Sequence, residues 1–301
     1  MYAAPPVIET QVFARVPDHL RRRENAVVRG GHARDCFLEG PSFDREGNLY
    51  CVDIPYGRIF RVSPDGTFDV VCTYDGQPNG LKIHKDGRIF VADNKNGIML
   101  LDPRSGEIRP FLDMGLHERF RGPNDLIFAS NGDLYFTDQG QTGLQNPAGC
   151  LYRLRADGQL DRLLDNVPSP NGLVLDASEQ TLYLAVTRAN AVWRVPLNLT
   201  GNFMPSRVGV FIQMSGGTGP DGMAIAADGS LAVAHVGMGT VWLFSKLGEP
   251  IGRIRSCAGL LTTNVAFGGP DGRTLYITES ETGHILRAEL PVEGQRLYSH
   301  A

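Results

Sequence analysis

Long apolar runs are missing from this sequence. No stretch approaches the roughly 18 residues that a bilayer-crossing helix needs, so no membrane span is expected. The opening residues, MYAAPPVIETQ, carry no basic segment ahead of an apolar one, and the cytoplasm is the expected compartment. Cysteine is sparse and unpatterned. Cys36, Cys51, Cys72, Cys150 and Cys257 are odd in number, widely spaced and never in a C-x-x-C pair. That argues against a disulfide framework or a thiolate zinc site and points to buried small apolar residues. The sequon Asn198-Leu199-Thr200 would matter only in a secreted protein and is set aside. Excess positive charge is lacking too. The net charge is -4, and Arg21, Arg22 and Arg23 make only a short cluster, expected to be a solvated face rather than a nucleic-acid footprint. No G-x-S-x-G nucleophile elbow occurs. The one G-x-G-x-x-G match, Gly217 to Gly222, leads into a strand pattern instead of a helix, which argues against a dinucleotide site. No Pro/Ser-rich linker breaks the chain, so residues 1–301 are expected to form one domain.

What the sequence has is glycine, turns and a repeat. It holds 36 glycines in 301 residues, with 42% hydrophobic and 21% charged content, a balance that favours all-β structure. Six times a short polar signature, followed by Gly in four of the copies, precedes an apolar stretch, a tight turn and a second strand that mostly ends in an acid or amide. The signature residues are Glu39, Asn79, Asn124, Asn171, Asp221 and Asn264, spaced by 40, 45, 47, 50 and 43 residues. Each copy continues into a third strand (GRIFRV, NGIMLL, GCLYRL, NAVWRV, GTVWLF, GHILRAEL), and segments such as FDVVCTY, IRPFLD, LDRLLDN and RVGVFIQ supply a fourth. A period of 40 to 50 residues built from four short strands predicts a six-bladed β-propeller with four antiparallel strands per blade. The repeats span about 36–290. The apolar-alternating run TQVFARV, within the N-terminal segment 1–35, is expected to pair with the last blade and close the ring.

First strands line the central channel of a propeller, so the six signature residues should form a ring at one mouth of it. Register separates Asp221 from the other Pro-Asp-Gly aspartates: Asp65 and Asp271 fall in turns, while Asp221 aligns with the asparagines. The ring therefore holds two carboxylates, Glu39 and Asp221, among four amides. All are hard oxygen ligands of the kind Ca²⁺ takes. Glu39, Asn124, Asn171 and Asp221 are the expected metal set, since six ligands from six blades would crowd one ion. The same oxygens suit Mn²⁺, Mg²⁺ or Zn²⁺. His235, at the end of the second strand of the Asp221 repeat, and Arg121, on the loop entering the third repeat, are candidate substrate-binding residues. Asp138 begins the longest insertion between second and third strands, a candidate lid.

These residues resemble the gluconolactonase and regucalcin (senescence marker protein) family, with likeness also to calcium-dependent diisopropylfluorophosphatases and drug-responsive lactonases. The resemblance runs from about Glu39 to Leu290 on EGP at 39–41, RGPND at 121–125, SPNGL at 169–173, GPDGM at 219–223 and TNVAFGG at 263–269. It implies a divalent ion held by Glu39, Asn171 and Asp221, with Asn124 as a fourth ligand or a substrate contact, Arg121 as a substrate-binding residue and Asp221 as the catalytic carboxylate. The stretch TDQGQTGL lacks the acidic residue expected of the regucalcin branch after the third blade's second strand, and the match is better to the bacterial lactonases. The implied activity is metal-dependent opening of a small-molecule lactone: the ion polarises the carbonyl and Asp221 assists the attack of water. A phosphotriesterase of the diisopropylfluorophosphatase kind and a non-catalytic binding propeller are the alternatives.

Overall fold

The first strands of six sheets touch one another in a closed circle, each beside the first strand of the next sheet. This computed structural model describes residues 4–25, 27–29, 32–116, 118–197, 205 and 207–300; the sequon at 198–200 lies outside them. From the channel outward, blade 1 runs Leu38–Phe43, Leu49–Asp53, Arg58–Val62 and Phe68–Thr73. Blade 2 runs Pro78–Ile83, Ile89–Asp93, Gly97–Leu101 and Ile108–Leu112, and blade 3 Pro123–Phe128, Leu134–Asp138, Gly149–Leu154 and Leu160–Val167. Blade 4 runs Pro170–Leu175, Thr181–Val186, Ala191–Pro196 and Gly209–Gln213, and blade 5 Gly219–Ile225, Leu231–Val236, Thr240–Phe244 and Pro250–Arg255. Blade 6 takes Thr262–Gly268, Thr274–Glu279 and His284–Glu289 from the C-terminal repeat.

Its fourth strand is Gln11–Arg15, antiparallel to His284–Glu289 with Gln11 opposite Arg287, as the apolar alternation of that segment suggested. The chain just before it does something the sequence pattern did not announce. Val7–Glu9 adds a fifth strand to blade 5, parallel to Pro250–Arg255, so the N-terminal segment staples two neighbouring blades. A short hairpin, Val27–Arg29 with His32–Arg34, precedes blade 1. The arginine cluster also differs from the expected solvated face: the Arg21 side chain is buried, pairs with Asp35 at 2.8 Å and donates to the Thr282 carbonyl, while Arg22 and Arg23 are exposed. Desolvating that guanidinium is tolerable because its donors are met.

Blades stack face to face, so inner strands are covered on both sides and outer strands on one. Leu38–Phe43 and Leu134–Asp138 are buried throughout, whereas Ile108–Leu112 is mostly exposed. The core is accordingly a series of clusters between blades. One packs Val52 and Ile59 against Leu81 and Val91, and another Ala234 and Val241 against Val265 and Ile277. Three of the cysteines (Cys36, Cys51, Cys150) are buried, Cys72 is half-buried and Cys257 is exposed; all five are free thiols.

Residues 293–300 cross the end of the channel away from the signature residues. Gly294 pairs with Ala226, and Gln295 donates to the carbonyls of Ile225 and Leu175. Tyr298 packs on Phe128 and His84, and Arg45 donates to the Ser299 carbonyl. Leaving blade 6, this segment thus touches blades 5, 4, 3, 2 and 1 in turn. A cavity of about 1590 Å³ lies between it and the ends of the first strands, lined by Lys82, Met223, Val265, Phe267 and Arg296 among others.

Candidate active site

Every signature residue sits in or beside a β-bulge. Strand pairing slips between Glu39 and Ser42, Pro123 and Leu126, Pro170 and Leu173, Pro220 and Met223, Thr262 and Asn264, and beside Asn79 in blade 2. A bulge leaves a residue without a ladder partner and re-aims its side chain. Proline precedes the signature residue in four blades, at Pro78, Pro123, Pro170 and Pro220. It is tolerated there because these positions, first in three strands and second in the fourth, lie at the strand entrance beside the bulge, where the ladder needs no donor from them.

The glycine that follows in most copies has a packing reason. A Cβ on Gly222 would stand 1.9 Å from Oδ1 of Asn264, and one on Gly172 would stand 2.5 Å from the Asp221 carbonyl oxygen. Glycine lets each first strand approach the next blade's signature residue. Blades 3 and 6 break this rule with Asp125 and Val265, both buried.

Three carboxyls therefore converge where the sequence pattern promised two. The Asn264 amide of blade 6 donates to Glu39 of blade 1 at 2.8 Å and to Asp125 of blade 3 at 3.3 Å, bridging the channel. Its own Oδ1 accepts the Val265 amide, so Asn264 acts as a donor that holds two acids together. Lys82 of blade 2 stands 4.0 Å from the Asp125 carboxyl. Glu39 is almost fully buried, and its pKa is pushed well above the usual range by burial and then by the charges of Asp221 and Asp125. Asp221, half-buried, is raised to about 8 by burial and then by Asp125; the Asn171 amide and the Arg188 guanidinium pull the other way. Burial raises Asp125 as well, against the opposing charge of Lys82.

Around the acids lies a hydrogen-bonded frame. Asn124 donates to Gln139 at 3.1 Å, and Gln139 to the Ser169 hydroxyl at 2.9 Å. Asn171 donates to the Thr187 hydroxyl at 3.2 Å, which in turn donates to the Pro220 carbonyl at 2.8 Å, immediately before Asp221. Thr137 makes the matching link from blade 3 to the Asn171 carbonyl at 3.0 Å. Asn79 reaches the same ring half-buried.

The acids that end the second strands anchor the loops entering the ring. Asp53 accepts the Phe37 amide and Asp93 the Gln77 amide. Asp138 accepts the amides of Arg121 and Gly122, so the residue that opens the long loop fixes the segment bearing Arg121. The Arg121 guanidinium donates to the Ala148 carbonyl at 3.0 Å and faces Glu118 at 3.4 Å, tying that loop down. His235 is buried, with Nε2 against the Gly216 carbonyl at 2.9 Å and Nδ1 accepting from Trp242 at 3.2 Å. Burial lowers its pKa, which suits a neutral ring with both nitrogens engaged.

Could these residues hold an ion? Among the described residues no three His, Cys, Asp or Glu side chains converge closely enough to do so by themselves. A cation here would need amide oxygens beside the carboxylates. The donor chemistry fits a hard divalent ion, because Glu39 and Asp221 are like charges held close with no cationic side chain salt-bridged to either among the described residues.

Asp125, Gln139, Thr187 and Lys82 were not singled out by the repeat pattern. Asp125 alone left a signal, as the acid standing where most copies have glycine.

A family model described as the SMP-30/gluconolactonase/LRE-like region matches residues 37–281. The chain belongs to that family. Lactonase drp35 of Staphylococcus aureus is 32% identical over 228 residues, covering 72% of this chain and 69% of that protein. Among solved structures, regucalcin of Agrobacterium tumefaciens, described as a calcium-binding protein, superposes with a TM-score of 0.79 at 23% identity over 99% of this chain and 100% of that one. A gluconolactonase of Xanthomonas campestris gives 0.75 at 24% identity over 97% of this chain and 99% of that one. At such identities the two structures speak for the propeller fold. The family and its lactonase relatives suggest a hydrolase of lactones.

Proposed function

We propose that the chain is a divalent-cation-dependent lactonase whose reaction is carried out at the Glu39–Asp125–Asp221 mouth of the channel. The observation that carries this is the convergence of three carboxyls, with Asn264 bridging Glu39 and Asp125 and with Glu39 and Asp221 each raised by a neighbouring carboxylate, among aligned amides in a member of a family with lactonase relatives. Glu39 and Asp221, with Asn124 and Asn171, would hold the ion, most suitably Ca²⁺. When bound, it would supply Lewis-acid polarisation of the lactone carbonyl.

Asp221 takes a proton from the attacking water. Its elevated pKa near 8 describes the carboxyl among like charges; a neighbouring cation favours the ionised form and readies it as an acceptor. The water oxygen adds to the carbonyl carbon, the ring C–O bond breaks, and the departing alkoxide oxygen takes the proton held by Asp221, which leaves a hydroxy acid and restores the carboxylate. Asn171, steadied by Thr187, keeps Asp221 in place, and Asn264 holds Glu39 and Asp125 together. Arg121 meets the substrate at the rim through the donors that its contacts with Ala148 and Glu118 leave free. His235 contributes to the same mouth by fixing the Gly216 loop that leads into Asp221.

The test is a panel of aldonolactones, aliphatic lactones and unsaturated lactones beside a phosphotriester, with divalent ions stripped and then restored. Lactone hydrolysis that disappears on stripping and returns with Ca²⁺ is expected. Hydrolysis of the phosphotriester alone, or of lactones at the same rate without ions, would overturn the proposal.

A further inference from the structure

We infer that Arg188 selects the substrate and that the lactone opened here carries a carboxylate. The inference rests on the hydrolase reading above and adds the substrate class. Arg188 is the middle residue of the short turn Thr187–Ala189, which follows the second strand of blade 4 and ends at Asn190 in the left-handed conformation, φ 50°. The turn is clamped on all sides. The Thr187 amide donates to the Ser169 carbonyl at 3.0 Å, and its hydroxyl joins Asn171 to the Pro220 carbonyl. The Asn190 side chain donates to the Gly216 carbonyl at 2.7 Å. The Arg188 backbone is therefore fixed one residue from the hydroxyl that steadies the entrances to Asn171 and Asp221.

Its guanidinium, by contrast, has nothing built in to hold it among the described residues. Arg188 is exposed and makes no hydrogen bond or ion pair with any described residue. The equivalent residue of blade 2 by strand register, Lys95, pairs with Asp75. Arg58 of blade 1 pairs with Asp53, the acid that closes that blade's second strand. In blade 4 the closing position is Val186, so the anchoring carboxylate is missing where an arginine follows. The other rim arginine, Arg121, is tied to Ala148 and Glu118. Arg188 is still close enough to the site for its charge to stabilise the ionised form of Asp221. A guanidinium fork on a rigid turn, exposed and without a hydrogen-bonded partner among the described residues, beside the reacting end of the channel, matches the planar two-oxygen geometry of a carboxylate.

The test compares γ-butyrolactone with its γ-carboxylate, and measures binding of tetrahydrofuran carboxylate, a ring that cannot be hydrolysed, by calorimetry. In Arg188→Gln the ratio of kcat/KM for the carboxylated over the neutral lactone should fall about tenfold or more, through KM, and the carboxylate probe should weaken by a similar factor. Arg188→Lys should recover part of both. An unchanged ratio and unchanged probe affinity in Arg188→Gln would overturn the inference while leaving the hydrolase reading intact. If the native chain opened no lactone yet bound the probe through Arg188, the hydrolase reading would fail and the anion site would stand.

Discussion

The two ends of the channel are built on opposite principles. At the signature end the carboxyls of Glu39, Asp125 and Asp221 converge: burial raises the pKa of all three, and neighbouring carboxylates raise Glu39 and Asp221 further. At the other end, residues 293–300 lie across the ends of the first strands, with Tyr298 packed among Phe128, His84 and Lys85. One end carries an electrostatic penalty that a proton or a cation would relieve; the other, around its cavity, is tied by aromatic and hydrogen-bonded contacts. Sites that must bind charge are commonly less stable than the frame around them. The same twenty-odd ångström of strand carries both.

Substitutions at the two ends should accordingly separate activity from stability. Asp221→Asn is expected to lower lactone turnover about a thousandfold, within the usual range for removing a general base. The ion-stripped variant should melt no lower than the native chain, because a like charge has gone. Full turnover together with full cation affinity would contradict the assignment. Tyr298→Ala should do the reverse, lowering stability by about 2–3 kcal/mol through lost packing while turnover per folded molecule holds. Denaturant unfolding read beside the lactone assay checks both.

A smaller effect should come from the frame that joins the blades near the acids. Thr137 accepts the Asp125 amide at 3.1 Å and donates to the Asn171 carbonyl at 3.0 Å, fully buried. Thr137→Val strands both partners, and a loss of about 1–2 kcal/mol is expected. Equal stability of the variant would mean that the two ends differ less than described.

The remaining effect is in pH. In ion-stripped protein the folded state binds protons at Asp221 that the unfolded chain has released, since the folded pKa is about 8 and the ordinary value is 3.8. Stability should therefore fall as pH rises across that window and be greatest toward its acidic side. Saturating Ca²⁺ should flatten or reverse the slope. A melting temperature that rises with pH in the stripped protein would contradict the raised carboxyl pKa values.

Architecture was legible in the sequence because the repeat imposes it. Turn chemistry, strand alternation and the spacing of Glu39 to Asn264 define six blades, and TQVFARV carries the ring closure. What escaped was whatever depends on contacts between blades. Val7–Glu9 lies parallel to a strand more than two hundred residues away, a pairing without a local pattern. The Asn264 bridge likewise joins blades 6, 1 and 3, so the repeat could mark the residue but not its partners. Arg21 looks like its neighbours in sequence and differs only because Asp35 and the Thr282 carbonyl meet it. Asp125 was visible only as an exception to a glycine, whose packing reason needed the adjoining blade.

The most direct test of the account is the proton balance of cation binding at neutral pH, measured by calorimetric titration of stripped protein with Ca²⁺ in buffers of different ionisation enthalpy. Carboxyls held partly protonated by burial and mutual repulsion must ionise to take up the ion. Net proton release is expected, reduced in Glu39→Gln and Asp221→Asn along with affinity. Binding that released no protons and was unaffected by either substitution would contradict the claim that these acids form the cation site.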